Sequence, residues 1–132
     1  MKNLVLGIAA MAFVASCTTT SSTTKTKSQP SIANTKWVLS EQVKGKTPTL
    51  NIEGNRVTGN AGCNNYFGEL MLDTTAGNFV ANNIGSTKMA CENMATESNY
   101  LKMLSQANKY VVNGNVLELY RDNLLLVKFT KQ

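Results

Sequence analysis

The chain of 132 residues carries three cysteines, eight carboxylates and no histidine, and that inventory decides most of the chemistry open to it. Without histidine the usual general base, the commonest metal ligand and every histidine-based triad are gone. Cys63 and Cys91 stand far apart with no CxxC spacing, which argues against a thioredoxin-like redox centre. The carboxylates show neither calcium-loop spacing nor an acid–base pair, and Gly45, Gly54, Gly59 and Gly62 match neither phosphate-binding fingerprint. These residues predict a protein that is not an enzyme and that uses no cofactor and no metal.

Cys17 belongs to a different chemistry. Lys2, the apolar run from Leu4 to Val14 and the small residues Ala15-Ser16 ahead of Cys17 read as a secretory signal peptide. Val14-Ala15-Ser16-Cys17 is similar to the bacterial lipobox in all four places, which makes Cys17 the expected lipid attachment. An ordinary signal peptide with Cys17 there by chance is the plainer alternative. The run is about half the roughly 20 residues that a permanent helical span needs. The predicted organisation is a signal peptide over 1–16, a lipidated cysteine with a Ser/Thr-rich tether over 17–33, and one domain over 34–132. The address is the cell envelope, anchored to membrane by lipid, and Thr18 in place of Asp after the cysteine leans toward the outer membrane. In that oxidising compartment Cys63 and Cys91 either pair, as two thiols there usually do, or remain as two buried free thiols.

From Lys36 onward ten basic residues face eight acidic ones, scattered and without a basic helix, so nucleic acid is not an expected partner. The domain reads as short strands between turn residues. Thr35 to Val43 and Thr49 to Glu53 come first; a Gly54-Asn55 turn leads into Arg56-Val57-Thr58. Phe67 to Leu72 and Asn78 to Asn82 flank the loop Asp73–Gly77. Lys109 to Val112 and Val116 to Tyr120 flank Asn113-Gly114-Asn115, a strong hairpin signal, and Leu124 to Thr130 closes the series. Between Met94 and Ala107 the period changes: Tyr100, Leu101, Leu104 and Ala107 form a helical stripe, with Asn93 as N-cap and Glu97 in the first turn. Met94, Met103 and Leu104 are expected to pack on the sheet, and Phe67, Phe79, Leu101, Leu126 and Phe129 to fill the interior.

Gly62-Cys63-Asn64-Asn65-Tyr66-Phe67-Gly68, then Gly85-Ser86-Thr87-Lys88-Met89-Ala90-Cys91, then Glu97 and Leu101 to Leu104, resembles the signature of the META domain, the HslJ-like family of bacterial envelope proteins. Trp37-Val38-Leu39, the Pro48-to-Ile52 strand and Val116-Leu117-Glu118-Leu119 extend the resemblance over Asn34 to Phe129. It implies a mostly β fold, an antiparallel lipocalin-like barrel of about eight strands with one packed helix. It also implies a role around stress response or drug tolerance, with no settled molecular activity. Within the signature, Gly62 and Gly68 suit positive φ or sharp turning, and Asn64 and Asn65 tolerate the left-handed region. Thr87 and Glu97 make a buried polar pair, and a Cys63–Cys91 bond would tie the GCN turn to the loop that launches the helix.

Two functions follow. The favoured one is a monomeric, non-enzymatic domain that supports envelope integrity or stress tolerance through an envelope protein partner. The alternative is a binding module for a small apolar ligand in a sheet–helix cavity. Gly62, Asn64, Tyr66, Thr87, Met89 and Glu97 either fix the fold or line a recognition patch at one end of the sheet.

Overall fold

The structure, a computed structural model, describes residues 27–132. The expected signal peptide, the lipid attachment at Cys17 and the tether up to residue 26 lie outside the described residues. The strands are β1 (Thr35–Leu39), β2 (Thr49–Glu53), β3 (Arg56–Asn60), β4 (Asn65–Asp73), β5 (Asn78–Ser86), β6 (Lys109–Asn113), β7 (Val116–Arg121) and β8 (Leu124–Lys131), with helix α1 (Met94–Gln106) between β5 and β6. Each strand pairs antiparallel with the next, and β8 returns to β1 through Val38↔Thr130, closing the barrel.

Period-two alternation places the core. Leu50 and Ile52, Leu117 and Leu119, and Val127 and Phe129 all point inward. Trp37, Tyr66, Phe79, Tyr100, Tyr110 and Phe129 are the largest of the fully buried side chains, so the barrel interior is packed solid. The indole N–H of Trp37 is satisfied by Thr35 Oγ1 at 2.7 Å, and that hydroxyl in turn donates to the Ile32 carbonyl. Ile32 is itself buried, and the chain joins the barrel earlier still. Gln29 donates its N–H to Thr74 O (2.7 Å), its side-chain oxygen accepts from Val112 N (3.0 Å), and Pro30 O accepts from Tyr110 Oη (3.0 Å). Residues 29–32 thus form a strap across the β4–β5 turn and the edge of β6.

The barrel is unevenly sealed. β6 begins opposite the beginning of β5, with Asn78↔Lys109 the one paired position between them. Beyond it, helix α1 packs against β5 in place of a strand. Chain order, strand number, helix position and the Asn-Gly hairpin agree with the sequence reading; several details do not. β1 stops at Leu39, because Ser40 is already turned to solvent and the chain bends to reach β2. Phe67, expected inside, points outward and is 53% exposed, since the alternation along β4 buries Tyr66, Gly68 and Leu70 instead. Met94 lies at the solvent side of the first helical turn, 40% exposed, while Leu104 is fully buried. Asn93 occupies the N-cap position but makes no side-chain cap bond.

Candidate functional site

The signature residues meet where the β3–β4 turn, the loop after β5 and the start of α1 converge. Gly62 adopts φ +112°, a conformation open to glycine, with the Thr96 methyl 3.1 Å from where a Cβ would stand. Asn60 braces the same turn, its Oδ1 accepting from Gly62 N (2.9 Å) and its Nδ2 donating to Cys63 O (3.2 Å). Asn64 and Asn65 are not left-handed; Asn65 already belongs to β4. Gly68 also lacks a positive φ. Its value lies in close approach, because a Cβ there would come within 3.0 Å of Asn82 O and 3.3 Å of Val57.

Asn64 is the hub. Its Nδ2 donates to Met89 O (3.0 Å) and to Glu97 Oε2 (3.0 Å), and its Oδ1 accepts from Met89 N (2.7 Å) and Thr87 Oγ1 (2.8 Å). An amide side chain has two donors and two acceptor sites, so its capacity is spent. The main-chain N–H of Asn64 adds a further bond to Glu97 Oε1 (2.8 Å). Thr87 and Glu97 are therefore joined through Asn64 and not to each other. Cys63 and Cys91 are bonded, their Cα atoms 6.0 Å apart across 28 positions of sequence. The disulfide and the Asn64 amide fasten the same loop at two points.

Tyr66 points into the barrel, where its hydroxyl is 2.8 Å from that of Tyr100 and 2.8 Å from Thr49 O; the Tyr100 hydroxyl also reaches Thr49 O, at 3.1 Å. The rings meet edge to face at 5.6 Å. Burial pushes both phenols well above the ordinary tyrosine value. Of the residues singled out, Asn64, Tyr66, Cys63 and Glu97 are buried, Gly62 is half-buried, and Thr87, Met89 and Cys91 are exposed. Among the described residues every buried side-chain nitrogen and oxygen has a partner, and no group of three His, Cys, Asp or Glu side chains is placed to hold a metal ion.

Sequence reasoning missed a polar cluster on the opposite wall. Glu118 bonds Tyr120 Oη (2.7 Å) and pairs with Lys128 (3.0 Å). The Tyr120 hydroxyl and then Lys128 hold the Glu118 carboxyl below its usual value, and Glu118 raises the Tyr120 phenol. The alternation Val116, Glu118, Tyr120 on the outer face of β7 is the signal that would have found it. Open grooves score the surface. One of about 570 Å³ runs between α1 and the β1–β2 connection over Leu39, Val43 and Met103. Another of about 420 Å³ lies between the end of β5 and α1, lined by Ile84, Gly85, Ser86, Lys88, Leu101, Lys102 and Ser105.

An eight-stranded antiparallel barrel with one helix and a cross-linked glycine–cysteine–asparagine turn defines the class of protein. The sequence model of the META domain matches residues 30–132, and the chain belongs to that family. Its fold is similar to the NMR structure of a protein from Burkholderia xenovorans, with TM-score 0.61 and 24% identity over 76% of this chain and 83% of that one. It is also similar to the crystal structure of a DUF4847 family protein from Bacteroides vulgatus, with TM-score 0.55 and 14% identity over 74% of this chain and 92% of that one. At such identities the likeness is one of fold. No curated protein matches the chain.

Proposed function

We propose that this META domain is a non-enzymatic, lipid-anchored module of the bacterial envelope that supports envelope integrity or stress tolerance by engaging a protein partner. The observation that carries the reading is the Cys63–Cys91 bond, which suits an oxidising compartment and an N-terminus read as a lipoprotein signal. The saturated Asn64 amide supports a structural role for the signature, because none of its hydrogen-bonding capacity is left for a substrate. Inside the barrel the small-ligand alternative meets six large buried side chains, and between sheet and helix it meets open grooves in place of an enclosed cavity. The test is fractionation of Cys17→Ala beside the native protein. Native protein recovered with membranes and acylated at Cys17 by mass spectrometry, with the variant released as soluble protein, is the expected result. A variant that stays with membranes, or a native N-terminus free of lipid, sinks the anchor.

A further inference from the structure

The barrel wall is incomplete along β5. Past Asn78, among the described residues, no strand lies on the side of β5 away from β4, and its last positions pair with β4 alone. Thr87 donates its N–H to Asn65 O at 3.0 Å, which fixes the alternation of the ladder. Tyr66↔Ser86 is then a non-bonded pair, so the main-chain N–H and C=O of Ser86, and by the same alternation those of Ile84, face away from β4. An edge of this kind is a template for strand addition, and proteins that leave one open normally blunt it. Here the edge is bordered by a groove of about 420 Å³ with Ile84 and Leu101 as its apolar floor. Lys88 and Lys102 stand on the rim with Ser86 and Ser105, and no carboxylate lines the groove. On the outer face the exposed Phe67 ring lies across Gly85, 2.8 Å from where a Cβ would be. A strand laid along β5 would meet that ring with its outward side chains.

We propose that the free edge of β5 from Ile84 to Ser86 is a docking site for an extended acidic segment of a protein partner, which adds to the barrel as a further strand. This rests on the protein-partner reading above and names the surface and the chemistry. Main-chain pairing supplies the register. Lys88 and Lys102 select acidic side chains, and the Phe67 face and the Ile84–Leu101 floor take apolar ones in alternation. The two lysines steer the encounter more than they hold the complex.

The test uses the full-length protein in detergent with two synthetic peptides, one alternating valine and glutamate, the other valine and lysine. The acidic peptide is expected to bind and to slow amide hydrogen exchange at Ile84 and Ser86, with the basic peptide weaker by about tenfold. Lys88→Glu with Lys102→Glu should reverse that preference at unchanged melting temperature, and Ser105→Trp, which fills the groove from the helix side, should abolish binding of either peptide. No binding, equal affinity for the two peptides, or protection elsewhere in the barrel overturns the site. So does prior protection of these amides without peptide, whether by a second copy or by the chain's own N-terminal segment. Binding of anionic vesicles without slowed exchange at Ile84 and Ser86 would make the patch a lipid contact and overturn it as well. Photoreactive residues at Ser105 and at Leu125 in cells separate the two readings. Adducts from Leu125 alone leave a partner but remove this groove, and adducts from neither remove the partner.

Discussion

At the scale of single residues the domain turns on Asn64. Removing its amide leaves the buried Glu97 Oε2 and the main-chain N–H and C=O of Met89 without these partners, so Asn64→Ala should cost about 3 kcal/mol in a denaturant melt. Asn64→Asp should cost more, because a carboxylate would then face Glu97. The disulfide is an independent fastener of the same loop. Cys63→Ser should cost about 2–5 kcal/mol, and reducing agent should lower the native melting temperature while leaving the variant's unchanged. The importance of these residues was legible in the motif spacing, and Gly62 announced its turn. The wiring was not. Asn64 reads locally as a turn former, and its partners Thr87, Met89 and Glu97 are brought to it only when the loop after β5 folds back across the turn.

Elements were more legible than contacts, for a physical reason: strand and helix periods are written in local sequence, whereas the face a residue takes depends on its neighbours' alternation. Phe67 shows this. Its size argued for the core, yet Tyr66 beside it takes the inward position and bonds Tyr100 and Thr49. Phe67→Ala should therefore shift the melting temperature little, while Phe129→Ala should cost about 3–5 kcal/mol. Glycines divide in the same way. At Gly59 a Cβ would fall 2.1 Å from Thr49 O, the carbonyl that both buried tyrosines use, so Gly59→Ala must push β3 away from β2 and should destabilise by about 3 kcal/mol. At Gly85 the obstacle is the exposed Phe67 ring, which can swing aside, and Gly85→Ala should be far milder by the same melt. What no local pattern could show is the short β5–β6 pairing, because that gap is created by the offset of two strands separated in sequence by the whole helix.

The molecule as a whole should be sensitive to alkali. Burial raises the phenols of Tyr66 and Tyr100 in the folded state, whereas an unfolded tyrosine titrates near 10. A raised folded value gives stability that is complete below the unfolded value and is lost as pH climbs beyond it, so the barrel should weaken steadily above pH of about 10. Tyrosinate absorbance should appear together with loss of the fold, and Tyr100→Phe should flatten the alkaline dependence. Acid acts on the other wall. Glu118 is held below its usual value, chiefly by the Tyr120 hydroxyl, so its contribution is present at neutral pH and fades as pH falls through the carboxylate range.

The closure of β1 on β8 has a consequence for the order of assembly. Val38 pairs with Thr130, and Leu39 with Phe129, so the first strand of the barrel stays unmatched on one side until β8 exists. Hairpins such as β2–β3 and β6–β7 close over short loops, but the seam must wait for every element between β1 and β8. A ribosome that feeds out β1 first therefore delivers the domain with its seam open until β8 has followed.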